Sequence, residues 1–148
     1  MGPRYSIRPA QKDELDALYD IHREAMQGYV SQTWGPWDDA FQRDFFANHW
    51  PELRLAIEVD GSLGGFLDLD ESPERIQVEN LELAPNYQGR GIGTAILVSV
   101  QQRAALHNQP VGLQVLKVNP ARSLYERLGF YLTGETETHY QMSWEGTR

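Results

Sequence analysis

Apolar and polar residues recur along this chain with periods that change several times, and the changes mark its elements. Residues 5–8 (Tyr-Ser-Ile-Arg) form a short first strand, ended by Pro9. Leu15, Leu18, Tyr19, His22 and Met26 then follow at spacings of three and four, the signature of one helix face. Asp13 and Glu14 sit near its start, where the helix dipole favours acidic side chains. Gly28 is expected to end that helix, and Asp38 to cap a second one that carries Phe41, Phe45 and Phe46. The intervening residues 29–37 are expected to form a loop, one too aromatic for plain solvent.

Residues 54–59 and 63–69 read as strands joined by Asp60-Gly61, a strong hairpin signal. The turn at 71–74 leads to a third strand of this group, Ile76–Leu83, so an antiparallel meander is expected. Residues 84–87 break it with turn chemistry. Ile92, Ile96 and Val100, with Ala95 and Ala104, then mark an apolar helix stripe. A strand at 111–118, a second αβ unit and two stretches of β-formers at 131–136 and 138–144 complete the order βααβββαβαββ, an α/β (α+β) chain.

With 148 residues and no repeat, low-complexity tract or linker, residues 1–148 are expected to be one domain. The longest apolar runs are far shorter than a membrane span, and residues 1–5 lack the apolar core of a signal peptide, so a cytoplasmic location is the expectation. The absence of cysteine excludes disulfides and a thiol nucleophile. The four histidines show no paired ligand spacing, so no metal site is expected. A net charge of −8 argues against nucleic-acid and acidic-membrane partners, while it is compatible with a cationic amine substrate.

The chemistry concentrates in Gln88-Gly89-Arg90-Gly91-Ile92-Gly93, where three glycines in five positions lie between a strand and a helix. Unpaired backbone N–H groups and the positive end of the helix dipole meet there, and absent side chains leave room for a pyrophosphate. Arg90 adds a positive charge. No Gly-Lys-Ser/Thr follows, so this is not a P-loop, and a dinucleotide fingerprint would need Gly or Ala where Thr94 stands. No strand-borne acidic residue follows at the distance ribose recognition requires.

The pattern Gln-x-x-Gly-x-Gly resembles the acyl-CoA binding motif of the GCN5-related N-acetyltransferase (GNAT) superfamily. Asn119-Pro120-Ala121-Arg122-Ser123-Leu124-Tyr125-Glu126-Arg127-Leu128-Gly129-Phe130 is similar to that superfamily's Asn-x-x-Ala-x-x-x-Tyr-x-x-x-Gly-Phe block. The resemblance implies a mixed, mostly antiparallel sheet splayed between its fourth and fifth strands, flanked by about four helices. It also implies acetyl-CoA as cosubstrate, its pantetheine arm paired with strand backbone from Leu81 to Leu83 and its pyrophosphate on the N–H groups of Gly89, Arg90, Gly91, Ile92, Gly93 and Thr94. Gln88 would stand at the turn entrance, with Asn119 and Ala121 of the second block alongside the arm. Tyr125 matches the family's proton donor to the departing sulfur.

An alkylammonium with a pKa near ~10 must lose a proton before it can attack a thioester. Glu79 and Glu82 on the fourth strand are the candidate bases, Glu79 favoured; alternation puts them on opposite faces unless the strand bulges. Asn80 either contacts substrate or caps such a bulge. A backbone N–H near Leu83 is expected to stabilise the oxyanion. In this fold the acceptor is held by the first two helices, their loop and the closing strands, which nominates Tyr19, His22, Met26, Tyr29, Trp34, Trp37, His139 and Tyr140. For Tyr19, His22 and Met26 a core stripe explains the spacing equally well.

The implied activity is N-acetyl transfer to a primary amine of a small molecule or peptide terminus, directly in a ternary complex. No Gly-x-Ser-x-Gly elbow offers an acyl-enzyme route. Homodimers are common in the family, and a homodimer is expected. A non-catalytic acyl-CoA sensor is the alternative; it would keep the glycine turn without needing Tyr125.

Overall fold

A computed structural model describes residues 4–146; residues 1–3 of the stretch read for a leader lie outside them. The strands are β1 (Tyr5–Pro9), β2 (Leu53–Val59), β3 (Ser62–Glu71), β4 (Ile76–Leu83), β5 (Val111–Leu116), β6 (Tyr131–Glu135) and β7 (His139–Trp144). The helices are α1 (Leu15–Trp34), α2 (Asp39–Asn48), α3 (Ile92–Leu106) and α4 (Arg122–Arg127), so the expected order βααβββαβαββ is found.

Gly28 does not end α1. One glycine inside a helix costs about 1 kcal/mol, and the helix carries it, running on to Gly35, whose φ of 98° and N–H bond to Ser31 O close the last turn. Much of the expected aromatic loop is therefore helix, and Trp34 belongs to its final turn. Asp38 caps α2 as expected, its carboxylate accepting from the Phe41 N–H at 3.1 Å. The β2–β3 turn has φ of 53° at Asp60 and 84° at Gly61, left-handed at both central residues as a tight hairpin requires.

All seven strands form one sheet in the order β1-β2-β3-β4-β5-β7-β6. The parallel β4–β5 pair has only three register partners, Ile76↔Val111, Gln77↔Gly112 and Val78↔Leu113. Beyond them β4 stays with β3 as far as Leu83, while β5 stays with β7 as far as Leu116. The sheet consequently opens into a V between β4 and β5. Strand alternation separates two cores: Leu67 and Leu69 join the large cluster containing Ile92, Ile96 and Val100 of α3, whereas Phe66 joins Leu18, Tyr19 and Phe46 from α1 and α2.

Two bulges adjust the register. Gly64 is the extra residue between Ile57↔Gly65 and Glu58↔Leu63, and Glu79 is the extra residue between Asp68↔Asn80 and Leu69↔Val78. A Cβ at Gly65 would stand 2.3 Å from the Glu82 carbonyl oxygen, so this close strand approach needs glycine.

Candidate active site

The mouth of the V holds two adjoining cavities. The first, about 440 Å³, runs from the glycine turn along the open edge of β4. Leu81, Leu83, Gln88, Gly89, Gly91, Gly93, Thr94, Asn119, Ala121 and Tyr125, all nominated from sequence, line it, together with Tyr29 and Met26 of α1. Gly89 and Gly91 have φ of 75° and 82°, and the space where a Cβ would stand at either is open. Residues with side chains would strain the turn and fill the cavity. Ile92 is instead fully buried in the large core, and the Arg90 guanidinium lies over the Tyr87 ring, 5.6 Å from its centroid. Gln88 turns its amide to the Leu83 carbonyl at 2.9 Å, tying the turn to the end of β4.

The second cavity, about 480 Å³, lies between α1, β4 and β5. His22, Met26, Trp34, Glu79, Asn80, Glu82 and His139 from the nominated set line it, and the β4 bulge is what lets Glu79 and Glu82 share it. Met26, Leu81, Glu82, Asn119 and Tyr125 border both cavities, so the two meet at these residues. A larger hollow of about 750 Å³ continues outward past His22, Asn80 and Glu79 toward α2 and the acidic residues Glu52, Asp70 and Glu71.

Three nominated acceptor residues are placed elsewhere. Tyr19 is 1% exposed, and its hydroxyl donates to Asp39 Oδ1 at 2.6 Å while accepting from Trp37 Nε1 at 3.1 Å. These two residues lock α1 to α2, the core role that the helix stripe already allowed. Tyr140 packs against the large core with the Lys117 and Arg122 cations over its ring. Trp34 remains 59% exposed, its ring 6.0 Å from that of His139.

The electrostatics of the junction are unusual. Glu82 is 6% exposed, and its Oε1 lies 2.6 Å from His22 Nδ1. Burial pushes its carboxyl up, opposed by the bond to His22. Partial burial, followed by the charges of Asp70 and Asp68, also raises the Glu79 carboxyl. The Tyr125 phenol is raised too, first by burial and then by the charge of Glu82, which keeps it protonated and able to donate.

Behind the wall lies a buried ion pair that sequence reading does not reveal. Arg54 Nε and Nη2 donate to the two Asp68 oxygens at 2.8 and 2.7 Å, and Asn80 Nδ2 donates to Asp68 Oδ2 at 3.0 Å. The guanidinium stacks over Phe46, 4.3 Å from its centroid. Counting back from the hairpin turn puts Leu67 opposite Arg54; the extra residue at Gly64 brings Asp68 there instead. A charged residue in the apolar run Phe66-Leu67-Asp68-Leu69 was the available signal.

Among the described residues no helix is long and apolar enough to cross a membrane, and no three metal-ligating side chains gather.

The peptidyl-lysine N-acetyltransferase YiaC of Escherichia coli (strain K12) is 32% identical over 139 residues, 85% of this chain and 83% of that protein. The streptothricin acetyltransferase of Streptomyces lavendulae is 34% identical over 94 residues, 59% of this chain and 48% of that protein. Among solved structures, the PaiA N-acetyltransferase from Thermoplasma acidophilum in complex with coenzyme A has a TM-score of 0.77 at 18% identity, covering 97% of this chain and 99% of that one. The ribosomal-protein-S18-alanine N-acetyltransferase from Escherichia coli has a TM-score of 0.73 at 21% identity, covering 98% and 96%. These structural likenesses show the shared fold. The sequence model described as Acetyltransferase (GNAT) family matches residues 15–130, and the chain belongs to that family.

Proposed function

We propose that this protein transfers the acetyl group of acetyl-CoA to a primary amine of a small molecule or peptide terminus, directly within a ternary complex, and that residues 1–148 act as one domain. The observation that carries the reading is the meeting of two cavities at Leu81, Glu82 and Tyr125. One is floored by a glycine turn at a helix N-terminus, suited to a pyrophosphate; the other is walled by carboxylates, suited to a cation. The match to the family and the coenzyme A bound by the PaiA relative support the choice of cosubstrate.

In this reading acetyl-CoA supplies an activated acyl thioester. The N–H groups of residues 89–94 hold its phosphates, and the edge of β4 from Leu81 to Leu83, which β5 does not pair, takes its amide-bearing arm as an added strand. The acceptor-side wall, where His22 lies together with Glu79 and Glu82, takes a proton from the amine, and the Tyr125 hydroxyl donates one to the departing sulfur. The partly buried phenol at the junction of the two cavities, beside Glu82, favours an enzyme over a sensor, which would need no acid there.

Calorimetric titration with acetyl-CoA, with ATP and NAD as controls at fixed salt, tests the reading. Selective micromolar binding, worth about −8 kcal/mol, followed by thiol release in an amine screen, is the expected result. Absence of acetyl-CoA binding would refute it.

A further inference from the structure

Resting on the acetyltransferase reading, we propose that His22 Nε2 is the group that takes the proton from the acceptor amine, with Glu82 as the positioning residue that holds its other ring nitrogen.

Three observations lead there. A carboxylate as buried as Glu82 needs a partner, and its partner is His22 Nδ1 at 2.6 Å. With Glu82 ionised, its oxygen accepts from Nδ1–H of the ring, and Nε2 keeps its lone pair for the acceptor. The imidazole plane is fixed, stacked on Phe46 with centroids 5.0 Å apart and an interplanar angle of 20°, and flanked by Trp37 and Tyr19. The free end of the ring is reachable: the His22 side chain is 19% exposed against 4% for Glu82, it borders the acceptor-side cavity, and Nε2 makes no hydrogen bond among the described residues.

A base must be held still as well as be basic. Glu82 itself is nearly sealed, with its oxygen committed to the ring. Glu79 sits at the bulge, and no side-chain hydrogen bond fixes it among the described residues. His22 combines access with a rigid mount, and its partner Glu82 borders both cavities, beside Tyr125.

The protons balance. The acceptor ammonium loses one proton to His22 Nε2, and the imidazolium formed is stabilised by Glu82. The amine lone pair then forms the C–N bond as the C–S bond breaks. The Tyr125 hydroxyl gives its proton to the sulfur and takes one from the new amide nitrogen. His22 returns its proton to solvent through the cavity, so each turnover releases one proton, one amide and one thiol.

The charged and titratable groups around this ring include Glu82 and Glu79 on β4, Tyr19 on its own helix with Asp39 behind it, Tyr125 on α4, His139 of β7 across the same cavity, the Arg54–Asp68 pair of β2 and β3, and, across the outer hollow, His49, Glu52, Asp70 and Glu71. Among the described residues Glu82 alone is a carboxylate in contact with the imidazole. Glu82→Gln keeps a hydrogen-bond partner for the ring but removes the charge behind it, so the acid limb of the kcat/KM profile should move.

The experiment measures kcat, kcat/KM against pH, and acetyl-CoA affinity for the wild type, His22→Gln, His22→Ala, Glu82→Gln and Glu79→Gln. Expected are a loss of about 10²–10⁴-fold in kcat for His22→Gln with acetyl-CoA affinity retained, partial rescue of His22→Ala by added imidazole, and the shifted acid limb in Glu82→Gln. A structural role for the ring predicts neither rescue nor shift. An unmoved limb in Glu82→Gln, or a greater loss in Glu79→Gln than in His22→Gln, would overturn the assignment while leaving the transferase reading intact. Failure of the wild type to bind acetyl-CoA would overturn the transferase reading itself.

Discussion

Arg54→Met should destabilise the fold by about 3 kcal/mol, the lower end of what breaking a buried ion pair costs. Asp68, 1% exposed, would keep its charge but lose both guanidinium bonds. Its remaining bond from Asn80 offsets roughly 1 kcal/mol of that penalty. Methionine preserves much of the volume packed against Phe46, Trp50 and Phe66, though it forfeits the cation over those rings. Asp68→Leu should cost a similar amount by leaving the guanidinium unpaired. Removing both charges in Arg54→Met/Asp68→Leu should cost much less than the sum, because no buried charge is left behind. Urea unfolding followed by circular dichroism, compared at a common slope, gives the four free energies of the cycle. Single losses below about 1 kcal/mol, or additive effects in the double variant, would refute the claim that this pair is desolvated and mutually dependent.

Tyr125→Phe should lower kcat by about 10²-fold or more with acetyl-CoA affinity unchanged in calorimetry; equal loss of both would remove its role as acid. Gly65→Ala should cost about 1–3 kcal/mol in thermal unfolding and lower kcat as well, since a Cβ placed 2.3 Å from the Glu82 carbonyl oxygen must push β4 at the site. The Arg8 hydrogen bonds hold the Glu14 carboxyl down at about 2, so its stabilisation is full above its unfolded value of 4.5 and lost as pH falls toward 2. Glu14→Gln should accordingly cost about 1 kcal/mol at neutral pH and progressively less through that acid window, read as converging melting temperatures.

Local signals carried the element order: the Asp60-Gly61 turn, the Asp38 cap and the α3 stripe each act within a few residues and appear where their chemistry requires. The end of α1 is not legible at Gly28, because glycine's helix penalty is small beside the packing of a long helix on β3 and β4. The gathering of Glu79, Asn80 and Glu82 on one cavity was less legible, since it depends on a bulge that period-two reasoning cannot locate. His22 and Glu82 are 60 positions apart, and nothing local to either announces the other. Tyr19 and Trp37 show the converse: aromatic residues near a pocket in sequence terms were consumed by the contact between two helices.

The three-rung seam between β4 and β5 has a consequence for how long the molecule lasts. Each half of the sheet is well paired internally, yet past Val78 and Leu113 the two halves share no backbone ladder. A hinge of this kind concentrates the easiest partial opening at the seam, where a protease or an exchanging deuteron would find backbone first. Any molecule that bridges the gap adds cross-links the polypeptide lacks, and a ligand present at ~100 times its dissociation constant adds about 2.7 kcal/mol to the resistance against unfolding. The turnover of the protein in a cell would then follow the abundance of whatever fills the seam, so that protein level itself becomes a record of ligand supply.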